Sequence, residues 1–310
     1  MKKQHAVLAL VWMVGLAAIT SPAAAGSIKH VFVIPMENHD KAQIYGNTRD
    51  APYIQTLLRD YASATDFRDE LPGLKSEPHY IWMEAGTNAF TGYTFEKDAG
   101  PSQKNSTSST AHLVTQIRKA NLTWMSYQEG QGAETGDCPI ASSGFYAAKH
   151  NPFVFFRDVS GDPPSKANVY CAAHHKPYSA FAADLKAGRV ADYVFITPNL
   201  CHDMHGAPGC GLGNRIETGD AWLKSELPRL IAWADAHAGV IFLTWDEGSA
   251  TRQIPFLAIG PGVKHGYTGG QRYDHGSIVK SVERIFGLPI LATVRDKNDL
   301  SDLFRFGFFP

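Results

Sequence analysis

His30-Val31-Phe32-Val33-Ile34-Pro35-Met36-Glu37-Asn38-His39 is an apolar, largely β-branched run that stops at a carboxylate, an amide and an imidazole. The same event recurs at Val240-Ile241-Phe242-Leu243-Thr244-Trp245-Asp246-Glu247-Gly248-Ser249, where a second such run gives way to two acids. Near-continuous apolar runs of this length suit strands covered on both faces, the condition of a parallel sheet packed under helices. Residues 123–127, 193–197 and 255–259 read as further strands. Between them Tyr53, Ile54, Leu57, Leu58 and Tyr61 repeat at helical spacing, as do Ile278, Val279, Val282, Ile285 and Phe286. The alternation predicts a layered α/β domain with a mostly parallel central sheet. Ligand sites in such sheets form beyond the carboxyl ends of the strands, which draws attention to Glu37, Asn38, Asp246 and Glu247.

The composition agrees with a large folded unit. Of 310 residues, 44% are hydrophobic and 19% charged, enough apolar material for a sizeable core, and no internal repeat is visible. A net charge of -1 without any long basic run excludes nucleic acid as the expected partner. Lys2 and Lys3 precede an apolar stretch of about 14 residues, short of the ~20 that span a bilayer, and Ala23-Ala24-Ala25 offers a cleavage site. Residues 1–25 therefore read as a signal peptide, and 26–310 as one domain with a loop-rich insertion near 130–184. The expected location is periplasmic or secreted, with no transmembrane segment after cleavage. Cys138, Cys171, Cys201 and Cys210 allow three pairings; Cys201–Cys210 with Cys138–Cys171 is the favoured one, because an even count in an exported chain points to disulfides. The Ser/Thr-rich stretch 105–110 reads as a surface loop.

Three groups of residues carry candidate chemistry. If Glu37, Asp246 and Glu247 converge, each like-charge pair at ~4 Å costs about 4 kcal/mol at an effective dielectric of 20. A divalent metal cation would cancel that repulsion, and ligand type alone leaves its identity open. Taken singly, each acid equally reads as a strand or helix cap. Ser76, in Gly73-Leu74-Lys75-Ser76-Glu77-Pro78-His79-Tyr80, reads as the N-cap of a helix ending near Gly86. Free N–H groups at that point favour an anion, and a phosphoryl group held there would meet the hydroxyl of Ser76. Histidines form the third group: His150, His202-Asp203-Met204-His205 and Tyr273-Asp274-His275 each place an imidazole where it can bind phosphate or move a proton.

In this order, HVFVIPMENHD, LKSEPHYIWMEAGT, KHNPFVFF, DYVFITPNLCHDMH, TWDEGS and YDHGSIVKSVERIFGLP resemble the bacterial phosphoesterase family of acid phosphatases and phosphatidylcholine-type phospholipases C. The resemblance implies a three-layer alkaline-phosphatase-like fold. It implies Glu37, Asn38, Asp246 and Glu247 as metal ligands, Ser76 as nucleophile, His205 and His275 as acid-base groups, and His150 and Asp203 as substrate-binding residues. The function it implies is a metal-dependent phosphomonoesterase working through a phosphoserine, on a phosphorylated small molecule or lipid headgroup. The alternatives are a phospholipase C cleaving diesters and a non-catalytic protein that binds a phosphorylated ligand.

Overall fold

A computed structural model describes residues 28–130, 136–248 and 250–310. The signal-peptide reading of 1–25 and Ser249 lie outside the described residues. The described residues form ten strands: β1 (His30–Met36), β2 (Ala62–Phe67), β3 (Ala89–Phe90), β4 (Tyr93–Thr94), β5 (Trp124–Gln128), β6 (His175–Pro177), β7 (Tyr193–Thr197), β8 (Gly239–Trp245), β9 (Phe256–Ile259) and β10 (Thr268–Tyr273). Eight of them build one sheet in the order β10-β2-β9-β8-β1-β7-β5-β6, and β3 pairs with β4 apart from it. Every pairing in the large sheet is parallel except those of β9, which runs antiparallel to β2 and β8.

The centre of the sheet matches the expectation from apolar runs: β8 is buried throughout and β7 likewise. Three layers result. Tyr80 of the Ser76–Ala85 helix packs edge-on against Phe195, whereas Trp233 of the Arg215–His237 helix packs against Phe32. Because Val33, not Phe32, is in register with Phe195, and successive strand residues point to opposite faces, the two helices cover opposite sides.

Local chemistry fixes several helix ends. The Pro52–Asp60 helix has no side-chain cap of its own; Asp220, from the long helix, accepts hydrogen bonds from the N–H groups of Tyr53 at 3.0 Å and Ile54 at 2.8 Å instead. Asp274 caps the His275–Ile285 helix in a capping box with Ser277. The Ser76–Ala85 helix ends at Gly86, whose φ of 62° is left-handed. A Cβ there would lie 2.1 Å from Val294 Cγ1, so no other residue fits.

Both favoured disulfides are formed, Cys138–Cys171 and Cys201–Cys210. No helix of the described residues is long and apolar enough to cross a membrane. One expectation is corrected: the first half of the 105–110 stretch is not a surface loop. Asn105, Ser106 and Thr107 are buried, with Asn105 donating to Glu77 Oε2 at 3.2 Å and accepting from Tyr93 at 2.6 Å. Burying these polar groups is tolerated because each finds a partner.

Candidate active site

The site begins with strand pairing. β1 and β8 are neighbours whose register runs from His30↔Gly239 to Met36↔Trp245, so Glu37 and Asp246 leave the sheet side by side. Backbone bonds lock the exit: Asp246 N–H donates to Met36 O at 2.9 Å, and Glu37 N–H to Asp203 O at 2.7 Å. Asn38 takes a left-handed φ of 57°, uncommon outside glycine, and the turn aims its N–H at Asp246 Oδ1, 3.0 Å away. Its side-chain amide donates to Glu37 Oε2 at 2.8 Å. The loop after Glu247 is drawn in by Asp40, whose carboxylate accepts from the N–H groups of Ala250 and Thr251. Gly248 is obligatory in that loop, since a Cβ would fall 2.3 Å from Thr251 O.

Ser76 differs from the expected N-cap. Lys75 holds the cap position and Ser76 is the first helical residue, so its hydroxyl is not spent on the helix. It points at the acids instead, with Oγ 3.2 Å from Glu37 Oε2 and 3.5 Å from Glu247 Oε1. Around it, potential ligand atoms gather in two sets, each within 4.8 Å of one another: Glu37 with His150 and His205, and His79 with Asp246 and Glu247. Ser76 touches a carboxylate of each.

The electrostatics of the site call for positive charge. Burial pushes the carboxyl pKa of Glu37 well up, and the charge of Asp203 adds to it. Asp246 is raised well above the ordinary range by burial and then by Glu37 and Glu247. Asp203 is raised in the same way, by burial first and by Asp246 among its neighbours. His150 Nε2, Asp203 Oδ2 and Asp246 Oδ2 are buried without a hydrogen bond, the first 3.3 Å from Glu37 Oε1 and the second 3.4 Å from His150 Nδ1. Buried carboxylates that repel one another, with unpartnered donor atoms facing inward, fit a hard divalent cation bound to oxygen.

His205 donates Nδ1–H to Gly206 O at 2.7 Å, which leaves Nε2 facing Glu37 and His150, and its own N–H is fixed by Asp203 Oδ1 at 2.7 Å. His150 lies flat on Tyr80, ring centroids 4.9 Å apart, with Nδ1 3.4 Å from Asp203 Oδ2. Burial drives its pKa well down, with Lys149 and His205 adding, so the ring is neutral. His275 joins neither set. It is fully buried, its Nε2 donates to Trp245 O at 2.8 Å, and it faces His79 and Phe67 rather than Ser76.

Two residues of the site escaped the sequence reading. His79 sits one helical turn from Ser76 and spends both ring nitrogens, on Lys75 O at 2.7 Å and on Asp69 Oδ1 at 2.9 Å. Burial opposes its charge, but the bond to Asp69 and the charges of Asp246, Asp69 and Glu247 outweigh that and push its pKa up to about 9. It therefore acts as a fixed cation against the two acids. Tyr80, at i+4, donates to Glu37 Oε1 at 2.7 Å. The i, i+3, i+4 spacing from Ser76 is the signal that marks both.

A family profile described as the Phosphoesterase family matches residues 47–289. The chain belongs to the phosphoesterase family. A phosphatidylinositol-3-phosphatase of Mycobacterium tuberculosis is 31% identical over 294 residues, covering 94% of this chain and 86% of that enzyme. A phosphate-repressible acid phosphatase of Penicillium chrysogenum is 31% identical over 180 residues, covering 55% of this chain and 41% of that enzyme. Among solved structures, a protein of the alkaline phosphatase superfamily from Vibrio parahaemolyticus superposes with a TM-score of 0.58 at 11% identity, over 89% of this chain and 70% of that one. This family member thus has the α/β fold of that superfamily and is a hydrolase of phosphoric esters. In this phosphoesterase the acids that follow β1 and β8 and the Ser76 hydroxyl meet at one edge of the sheet.

Proposed function

We propose that the chain is an exported, metal-dependent phosphomonoesterase of the acid phosphatase type, and that Ser76 is its nucleophile. One observation carries this reading: the Ser76 hydroxyl, free of any capping duty, lies 3.2 Å from Glu37 and 3.5 Å from Glu247. Glu37, Asn38, Asp246 and Glu247 are the residues that would hold the cation. When bound, a divalent cation supplies Lewis acidity toward the phosphoryl oxygens and acidifies a neighbouring hydroxyl.

The chain's own groups do the rest. Ser76 Oγ loses its proton to solvent and attacks phosphorus in line, while the bond to the leaving oxygen breaks. His205, when protonated, gives that oxygen a proton from Nε2; burial disfavours the imidazolium, so acid pH supplies it. Water then attacks the phosphoserine, His205 takes a proton from the water, the Ser76 oxygen leaves and is reprotonated from solvent, and inorganic phosphate departs. Asp203 holds the His205 backbone and lies 3.4 Å from His150 Nδ1, while His150 Nε2, 3.3 Å from Glu37 Oε1, borders the place proposed for the phosphoryl group. His79, as a fixed cation, steadies Asp246 and Glu247. His275 supports the end of β8 through Trp245, a positioning role in place of the acid-base one suggested by the sequence.

The names of the relatives above, a phosphatidylinositol-3-phosphatase and an acid phosphatase, support monoester substrates, either small molecules or lipid headgroups. Two disulfides support an oxidising location, periplasmic or secreted. The test is Ser76→Ala, which should abolish turnover of p-nitrophenyl phosphate while leaving the unfolding free energy within about 0.5 kcal/mol of wild type. Chelator-stripped wild-type protein should lose activity and regain it with a divalent cation. Wild-type turnover by pure Ser76→Ala protein removes Ser76 from the reaction. Turnover of bis(p-nitrophenyl) phosphate in preference to the monoester makes the chain a diesterase.

A further inference from the structure

Arg215 opens the Arg215–His237 helix, exposed, with its side chain in no hydrogen bond or ion pair among the described residues. Several surface arginines are met by carboxylates, Arg59 by Asp60 and Arg284 by Asp299, while others such as Arg252 are not. Arg215 instead lies across Gly206, where a Cβ would fall 2.5 Å from its Nε and 3.0 Å from its Cζ. Gly206 follows His205 directly and accepts the hydrogen bond that orients the His205 ring. The guanidinium therefore packs on the residue whose carbonyl orients the His205 ring. Its charge is felt at both His39 and His205, which places it on the rim of the site.

A cavity of about 350 Å³ opens beside it, walled by the Cys201–Cys210 bridge, Gly206, Gly213 and Thr218. Arg215 is the one charged residue of that lining, and no carboxylate faces it there. The positive end of the 23-residue helix points into the same place, with Asn214 capping only the N–H of Ile216.

We propose that Arg215 and this cavity form a second anion subsite, which recognises a phosphate or phosphodiester group carried by the same substrate whose monoester is held at Ser76. The proposal rests on the reading of Ser76 given above. A planar, permanently charged fork suits a phosphate oxygen pair. Its contact with Gly206, the residue after His205, puts the second anion at the edge of the site nearest that histidine. Singly phosphorylated small substrates leave the subsite empty.

The experiment compares wild type, Arg215→Ala and Arg215→Lys on three sets of substrates. These are p-nitrophenyl phosphate, fructose 6-phosphate against fructose 1,6-bisphosphate, and inositol 3-phosphate against dioctanoyl phosphatidylinositol 3-phosphate. For Arg215→Ala, KM for the doubly anionic member of a pair should rise about tenfold, with kcat held and single-phosphate substrates within twofold of wild type. Arg215→Lys should recover part of the loss. A loss confined to fructose 1,6-bisphosphate assigns the subsite to soluble bisphosphates, and one confined to the lipid assigns it to the headgroup diester. Equal loss on every substrate, or loss on none, overturns the proposal. If wild type hydrolyses none of them, the reading of Ser76 falls by itself. Calorimetric binding of fructose 1,6-bisphosphate to wild type and Arg215→Ala then decides the subsite, equal affinity refuting it.

Discussion

Replacing Cys201 and Cys210 together by alanine removes the bridge that closes the loop holding Asp203 and His205. The bridge spans a sequence separation of 9, for which the loss of loop-closure entropy in the unfolded chain is about 2.6 kcal/mol at 25 °C. The Cys138–Cys171 bridge, with a separation of 33, is worth about 3.7 kcal/mol by the same relation. Stability alone would thus rank the second bridge above the first. Activity should rank them the other way. His205 is tied to Asp203 by its N–H at 2.7 Å, and Glu37 N–H to Asp203 O at 2.7 Å, so slack in this short loop displaces the proton donor and the first acid together. A displacement of ~1 Å at a reacting group costs about 100-fold in rate. The measurement is kcat on p-nitrophenyl phosphate beside urea unfolding for both double variants. If the Cys201/Cys210 variant loses the expected stability yet keeps its kcat, packing of buried Met204 holds the loop unaided and the reasoning fails.

Tyr80→Phe removes the 2.7 Å bond to Glu37 but leaves the ring against His150. Stability in urea should fall by about 2 kcal/mol, the usual worth of a buried bond to a charged partner, and bound metal should fall with it; no change in either would show the bond to be dispensable. Glu283→Gln addresses pH. Glu283 is fully buried, one oxygen accepts the Leu291 N–H at 2.9 Å, and the other has no partner. Burial raises its pKa from 4.5 to about 7. The folded state then keeps a proton that the unfolded chain has lost, so wild-type stability falls as pH rises across that window. By pH 8 the deficit is on the order of 3 kcal/mol. Glu283→Gln should be the more stable protein at pH 8 and the two should converge near pH 4.5; parallel stability curves would show that Glu283 titrates normally.

The acids at the ends of β1 and β8 were legible because a buried strand has no use for a carboxylate, so each apolar run that stops at one marks a boundary with chemical purpose. Ser76 was legible as a hydroxyl at a helix start, though its partners are the acids and not the helix. His79 and Tyr80 were not, because their role depends on which helical face meets β1 and β8, a tertiary fact. β2 escaped because Ala62, Ser63 and Ala64 carry little of the bulk that announces a strand; it forms because β9 and β10 flank it. The Arg215–His237 helix escaped for a related reason. Pro228 interrupts its pattern, and its buried face mixes Gly219 and Asp220 with Leu223, Leu227 and Leu230. Asp220 is buried there because it caps another helix, a requirement that no local pattern records.

The unbroken ladder between β1 and β8 makes catalysis a proofreader of assembly. A chain that zipped these strands together one position out of step would turn Glu37 away from Asp246, because side-chain direction inverts at every residue. The same slip would swing Phe32 and Phe242 out of their layers and forfeit the core. Misassembled molecules are therefore both inactive and poorly folded, and specific activity counts correctly threaded chains without any separate probe of structure.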